Sequence, residues 1–247
     1  MKPRFVGRLG PADAITLTNA GMGFLAVVIA FSDVELAARF VLLAAVLDGL
    51  DGVVARALGG SQAGEYLDSL ADVASFAVAP ATVVYAVVSD SWSLGVTAPT
   101  FRTAITVAGC ALFVAMAVTR LGLYTAFDAA DEFTEGVPST LAATILMAAV
   151  LAGIADPVIL IGATWAFVYL MVSTIRYPDL LARDALLMGF VHVLAVLFPY
   201  VLDRTFPWAL LTLGVAYLTL GPWLYWRGEW LLLALFGSGD DEGKENA

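Results

Sequence analysis

Apolar stretches recur along nearly the whole chain, and only short polar breaks separate them. Each stretch is roughly 17–25 residues long, enough for a helix to cross a hydrocarbon core of about 30 Å. Charged residues make up only 14% of the chain, whereas an ordinary soluble domain carries about 25%. The pattern predicts an all-α fold, a polytopic membrane helix bundle, rather than a set of soluble domains.

We expect about eight transmembrane helices, each bounded by Gly, Pro or charged residues. Their approximate ranges are 14–31, 36–58, 66–88, 101–120, 138–154, 157–174, 185–202 and 207–226. One membrane domain is therefore predicted over residues 1–236. The polar, glycine-rich segment 237–247 is expected to be a disordered acidic tail.

The positions of Lys and Arg predict the orientation of the bundle. When both termini are placed in the cytoplasm, most basic residues fall inside, and Arg39, Arg102 and Arg204 fall outside. This distribution follows the preference of basic loops for the cytoplasmic side. The first apolar stretch ends without a small-residue cleavage site, so we expect it to be a retained span of a cell-membrane protein.

Two features of the composition exclude classes of function. The net charge is −10, and the few basic residues are spread over the spans, which argues against nucleic acid as a partner. The single cysteine, Cys110, can neither close an intramolecular disulfide nor build a metal site alone.

Four carboxylates lie within the second and third predicted spans, where a charge costs at least about 2.5–3.5 kcal/mol. Asp48 and Asp51 share one face of the second helix, and Asp68 and Asp72 share one face of the third. The short turn 59–62 favours an antiparallel hairpin that brings both faces to the cytoplasmic end. Clustered carboxylates repel one another unless a hard cation such as Mg²⁺, Mn²⁺ or Ca²⁺ lies between them. The sequence therefore predicts a divalent metal site, in which two ions about 3.5–4 Å apart could bridge a pyrophosphate.

The residues around these carboxylates fit a nucleotide ligand. Gly52, Ala55 and Gly64 leave room for a ligand close to the backbone, and Arg56 could pair with a carboxylate or neutralise phosphate charge. The residues alone leave two alternatives open. The buried carboxylates could stay protonated or pair with Arg56 and so hold the hairpin together, or they could mark a cation or proton path through the bundle.

The string Asp48-x-x-Asp51-Gly52-x-x-Ala55-Arg56, then seven residues, then Gly64-x-x-x-Asp68-x-x-x-Asp72 resembles the signature of the CDP-alcohol phosphatidyltransferase family. The resemblance implies that Asp48, Asp51 and Asp68 are the principal ligands of Mg²⁺ or Mn²⁺, and that Asp72 binds metal or acts as the base. Asp68 and Asp72 are thus the expected catalytic residues. The resemblance also implies a homodimer and a CDP pocket lined by Asp48, Asp51, Gly52, Ala55, Arg56, Gly64 and Asp68.

Longer segments resemble the phosphatidylserine and archaetidylserine synthase branch of that family. They run from Leu67 to Ala81, from Glu135 to Pro138, and from Met171 to Pro178. The branch often has a second Arg where this chain has Leu123. The resemblance implies transfer of a phosphatidyl-type group from CDP-diacylglycerol or CDP-archaeol to the hydroxyl of L-serine, with release of CMP.

The acceptor site is predicted from the charges of serine, since a buried site must pair both the carboxylate and the ammonium. Arg120 or Arg176 could clamp the carboxylate, and Glu135 could meet the ammonium. A sister transferase acting on glycerol phosphate or inositol phosphate could use Arg120, Arg176 and Arg183, so charge alone does not exclude it. The alternative that is not an enzyme is a cation carrier that uses the intramembrane carboxylates. His192 lies far from the motif and is expected to be a hydrogen-bonded core residue.

Overall fold

Long helices dominate the computed structural model, which describes residues 7–95, 97, 100–128, 133–178 and 182–236. The helices are α1 (Pro11–Ile29), α2 (Val34–Leu58), α3 (Gly64–Asp72), α4 (Ala79–Trp92), α5 (Phe101–Leu123), α6 (Ser139–Leu151), α7 (Pro157–Leu170), α8 (Ala182–Leu197) and α9 (Thr205–Phe236). A π-helical turn, Val73–Val78, joins α3 to α4, and a second one, Tyr124–Asp128, extends α5. Each predicted helix therefore has a counterpart in the described part of the chain, with ends that differ by several residues.

Three of these helices are long and apolar enough to cross a membrane: Pro11–Ile29, Gly64–Trp92 and Phe101–Phe127. Shorter apolar helices are Ser139–Leu151, Pro157–Leu170 and Leu187–Leu197. α2 is also long, but it carries Asp48, Asp51 and Arg56 near its C-terminal end. A mostly helical fold with apolar spans is what a membrane requires, because a helix satisfies its own backbone hydrogen bonds. The count of eight spans and the side on which the termini lie stay predictions.

Side-chain caps explain where several helices begin. The Asp33 carboxylate accepts a hydrogen bond from the Leu36 backbone N–H at the start of α2. Thr100 caps α5 and Asp156 caps α7 in the same way. Such caps satisfy backbone N–H groups that have no partner within the helix. α2 ends at Gly59, whose φ of +87° starts the turn into α3.

α6 lies at the centre of the fold. Nearly all of its side chains are buried, and it packs against α2 and α9. α1 packs along α2, where Ala37, Ala38 and Ala44 are fully buried. Small residues let helix backbones approach closely where lipid provides no hydrophobic force between them. The paired α1 and α2 support the end of α2 that carries its carboxylates.

Two short strands depart from the predicted all-α fold. β1 (Phe133–Glu135) and β2 (Arg176–Pro178) pair in antiparallel fashion, with Thr134 opposite Tyr177 and Glu135 opposite Arg176. We call this two-stranded element the β ribbon. Strands form at these two places because the two segments satisfy each other's backbone groups across a long stretch of sequence.

The β ribbon is tied to the helices around it. Tyr177 is 2% exposed, and its Oη donates a hydrogen bond of 3.2 Å to the Leu218 carbonyl of α9. The Gly136 N–H donates to the Ile175 carbonyl at 2.8 Å, and the Val137 N–H donates to the Leu170 carbonyl at 3.0 Å. The ribbon is therefore held to the end of α7 and to α9.

We expect Gly136→Ala to lower the stability of the protein. Gly136 has a φ of +77°, and a Cβ there would lie 2.2 Å from the Met171 carbonyl oxygen. Strain of this kind costs about 1–3 kcal/mol, and the clash with backbone adds to it. Thermal unfolding in detergent measures the effect. The matched control is Gly162→Ala, because a Cβ at Gly162 would meet nothing within 4 Å. Equal unfolding temperatures for Gly136→Ala and the parent protein would contradict the expectation.

An ion pair between Arg204 and Glu35 connects helices at the end of the bundle that lies away from the α2–α3 turn. Arg204 Nη2 lies 3.0 Å from Glu35 Oε1, and Arg204 Nη1 donates to the Leu151 carbonyl at 2.6 Å. Tyr200 Oη donates to Glu35 Oε2 at 2.7 Å. These contacts join the start of α2 to the end of α6 and to the segment before α9. Since Glu35 and Asp48 are separated by about 20 Å along the α2 axis, this network lies away from the predicted metal site.

Candidate metal and nucleotide site

Three carboxylates from two helices meet at the hairpin of α2 and α3. Asp48 of α2 and Asp68 and Asp72 of α3 each offer an oxygen, and these atoms all lie within 4.8 Å of one another. The spacing of four residues puts Asp68 and Asp72 on one face of α3. Asp72 is buried, and Asp48 and Asp68 are partly buried. We call these three residues the carboxylate cluster.

The chemistry of the carboxylate cluster fits a hard divalent cation. Arg56 is exposed and forms no ion pair with the cluster within the described ranges, so the predicted alternative of a hairpin fastened by Arg56 is not favoured. Asp72 Oδ1 is buried and has no hydrogen-bond partner among the residues that the structure describes. Carboxylates in such surroundings repel one another. An all-oxygen donor set of this kind suits Mg²⁺ or Mn²⁺.

Asp51 lies beside the carboxylate cluster and is held by α1. Its Oδ2 accepts a hydrogen bond of 2.5 Å from Thr16 Oγ1, and Asp51 is 6% exposed. Its negative charge acts on both Asp48 and Asp68. The structure thus brings three of the four predicted acids together and places the fourth next to them.

A polar row on α1 borders the site, and the sequence analysis missed it. Asp13, Thr16 and Asn19 lie on one face of α1 and are all buried. Ser61 Oγ donates to Asp13 Oδ1 at 3.0 Å, and Ser75 Oγ donates to the Asn19 carbonyl at 2.9 Å. The Asn19 side-chain amide is fully buried without a hydrogen-bond partner among the described residues. The sequence does contain a signal for this polar row, namely three polar residues spaced three positions apart within an apolar span.

The predicted small residues of the CDP pocket lie close to polar groups. A Cβ at Gly64 would lie 3.4 Å from Asp13 Oδ1, and a Cβ at Gly52 would lie 3.5 Å from Arg56 Nη1. Ala55 is partly buried on the same helix. A side chain at Gly64 would therefore contact Asp13, and one at Gly52 would contact Arg56.

The three predicted acceptor residues lie on or next to the β ribbon. Arg120 is 8% exposed, its Nη2 donates to Thr134 Oγ1 at 2.9 Å, and its charge acts on Asp72. Glu135 Oε1 lies 3.2 Å from Arg176 Nε, and both side chains are about half exposed. Glu135 and Arg176 therefore pair with each other, whereas Arg120 is the buried member of the three.

Other residues singled out by sequence lie outside this site or outside the described residues. His192 Nδ1 lies 2.9 Å from the Met188 carbonyl, and Nε2 lies 3.2 Å from Thr144 Oγ1, which confirms a hydrogen-bonded core histidine. The side chain of Arg183 and the segment 237–247 lie outside the described residues.

Comparison with known proteins adds an independent observation. The sequence profile described as CDP-alcohol phosphatidyltransferase matches residues 10–177. An archaetidylserine synthase of Methanothermobacter thermautotrophicus is 30% identical over 170 residues, which cover 67% of this chain and 68% of that protein. A CDP-diacylglycerol-serine O-phosphatidyltransferase of Helicobacter pylori is 31% identical over 179 residues, which cover 68% of this chain and 71% of that protein. A Mycobacterium leprae protein with the same name is 57% identical, but over 53 residues that cover 21% of this chain and 18% of that protein.

Proposed function

This chain belongs to the CDP-alcohol phosphatidyltransferase family, and on that premise we propose that it transfers a phosphatidyl-type group from a CDP-activated lipid to the hydroxyl of L-serine. CMP is the second product. The carboxylate cluster carries the proposal, because three oxygens within 4.8 Å of one another could hold the divalent metal that a pyrophosphate donor needs. The names of two relatives that align over about two thirds of this chain contain serine, as the acceptor in one and as part of the product in the other. Because the chain belongs to a family of transferases, we favour an enzyme over the alternative of a cation carrier.

The donor side of the site is formed by the α2–α3 hairpin. Asp48, Asp51 and Asp68 would be the principal ligands of Mg²⁺ or Mn²⁺, two ions in our proposal. Bound metal would withdraw charge from the lipid-bearing phosphate and stabilise the attacking and leaving oxygens. Gly52, Ala55 and Gly64 let the CDP group lie close to the backbone, and Arg56 meets phosphate charge.

Asp72 is the proposed base. It is 7% exposed, and its Oδ1 is not hydrogen bonded to any described residue. A hydroxyl is a poor nucleophile until a proton is removed. Asp72 takes the proton of the serine hydroxyl, the serine oxygen forms a bond to the lipid-bearing phosphorus, and the bond from that phosphorus to CMP breaks. Asp68, one turn away, holds the reacting groups in line with this base.

Arg120, Arg176 and Glu135 form the proposed acceptor side. Arg120 is buried within electrostatic range of Asp72, and we assign it to the serine carboxylate, which an Arg can bind with two hydrogen bonds. The Glu135–Arg176 pair lies at the more exposed edge. A zwitterionic acceptor carries the same two charges as this pair, so Glu135 can receive the ammonium and Arg176 the carboxylate during entry.

The remaining assignments concern the setting of the site in the membrane. We propose one membrane domain over residues 1–236 in the cell membrane, a homodimer, and a site that opens to the cytoplasm. The excess of basic residues on that side supports the orientation. The lipid tails of the donor would stay in the bilayer, and the acceptor would come from the water phase.

We expect serine to be the only substantial acceptor in a panel of serine, glycerol phosphate, inositol phosphate and ethanolamine. A phosphorylated acceptor would favour several convergent basic residues, whereas the name of a relative aligned over 68% of this chain gives serine as the acceptor. Ethanolamine lacks a carboxylate for Arg120 and should be the poorest acceptor. CMP release from CDP-lipid in the presence of divalent metal is the measurement. Faster release with glycerol phosphate than with serine at equal concentration would contradict the serine assignment and leave only the family.

A further inference from the structure

A threonine outside the family signature contacts the proposed acceptor arginine. Thr134, on β1, is 7% exposed, and its Oγ1 accepts the hydrogen bond of 2.9 Å from Arg120 Nη2. The Arg120 guanidinium carbon also lies 5.3 Å from the centre of the Tyr124 ring. The guanidinium is thus located by a hydroxyl as well as by an aromatic ring.

The backbone that presents Thr134 is fixed by its partner strand. Thr134 pairs with Tyr177 across the β ribbon, and Tyr177 is 2% exposed and hydrogen bonded to α9. Gly136 is bonded to the Ile175 carbonyl. Thr134 therefore offers its hydroxyl from a supported position rather than from a freely moving loop.

A hydroxyl is suited to positioning a charged group without neutralising it. An Arg side chain has about 2 kcal/mol of rotamer entropy, and part of it is lost when the guanidinium is held in one place. A carboxylate in the place of Thr134 would hold Arg120 equally well, but it would cancel the charge that a carboxylate-bearing acceptor needs.

We propose that Thr134 is a positioning residue for the acceptor: its hydroxyl holds the Arg120 guanidinium where the acceptor carboxylate binds. The inference rests on the proposed acceptor role of Arg120. On this proposal the β ribbon contributes to the affinity for the acceptor. It does not contribute to the affinity for the CDP-lipid, because the CDP-lipid is proposed to bind at the α2–α3 hairpin.

The test measures CMP release as a function of serine and of CDP-lipid for Thr134→Val and Thr134→Ser. Removal of a buried hydrogen bond to a charged group should raise the KM for serine by roughly 10- to 100-fold. The KM for CDP-lipid should stay within about twofold of the parent value, because no donor contact is removed. Thr134→Ser keeps the hydroxyl and should restore most of the affinity for serine. If Thr134→Val does not fold, Thr134→Ala removes the same hydroxyl with less bulk.

Two controls separate positioning from a general structural role. Thr164→Val removes a fully buried hydroxyl whose one hydrogen bond among the described residues is to Leu160 of its own helix, and it should leave both KM values unchanged. In an Arg120→Ala background, Thr134→Val should add no further increase in the KM for serine. The proposal is wrong if Thr134→Ser is as impaired as Thr134→Val, if both KM values rise together, or if the effect persists without Arg120.

The proposed acceptor and the proposed role of Thr134 can fail separately. If the parent protein releases CMP faster with an acceptor other than serine, the serine assignment fails. The same KM comparison is then made with that acceptor. A rise confined to the acceptor KM in Thr134→Val, reversed in Thr134→Ser, supports the positioning role, and its absence overturns it.

Discussion

Asp48→Asn is expected to reduce CMP release by at least roughly 10³-fold, because groups that act as a unit lose most of their effect when one is removed. Asp48 is the member of the carboxylate cluster that α2 contributes, so its loss leaves Asp51 as the one proposed ligand from that helix. Asp68→Asn and Asp51→Asn should likewise weaken the binding of metal and CDP-lipid, and chelation of divalent metal should abolish turnover. Thermal stabilisation by Mn²⁺ and by CDP-lipid, measured alongside turnover, tests the assignment.

The matched control for these substitutions is Asp33→Asn. Asp33 caps the other end of α2, and Asn is an equally good cap, so metal-dependent stabilisation and turnover should both be retained. If the three single variants Asp48→Asn, Asp51→Asn and Asp68→Asn all keep normal metal affinity and turnover, the assignment of the metal site is wrong.

Asp72→Asn is expected to leave CDP-lipid binding nearly intact while turnover falls by roughly 10²–10⁴, the usual range for removal of a positioned base. The amide keeps an oxygen toward the cluster but cannot accept the proton of the acceptor hydroxyl. Equilibrium binding of CDP-lipid and single-turnover release of CMP separate the two effects. A parallel fall of binding and turnover would make Asp72 a metal ligand, and another residue would have to serve as base. Asp90→Asn, an exposed position at the far end of α4, is the control.

The elements that the sequence predicted well depend on local rules. Long apolar stretches bounded by polar residues located the helices, because a span must be long and continuous to cross lipid. The convergence of Asp48, Asp68 and Asp72 followed from helical spacing and a short turn, both of which involve residues near one another in sequence.

The features that sequence analysis missed depend on distant contacts. The β ribbon pairs Thr134 with Tyr177, and two three-residue strands so far apart give no periodic signal. The hydrogen bond from Thr16 to Asp51 depends on how α1 lies against α2, which helical periodicity does not specify. The pairing of Glu135 with Arg176 likewise needed the register of the two strands.

The π-helical turn at Val73–Val78 begins immediately after Asp72. A π turn accommodates one residue more than an α-helical turn, and one residue corresponds to about 100° of rotation around a helix axis. The α3 face that bears Asp68 and Asp72 therefore points about 100° away from where a regular α-helix of the same length would place it relative to the α4 face that buries Val83, Val84 and Val87. If the turn became α-helical with the same number of residues, one face would rotate relative to the other; if it lost one residue, the helix would become regular and the two faces would keep their present relation. The extra residue in this turn, as much as residue identity, thus sets the angle at which the scaffold presents its acids.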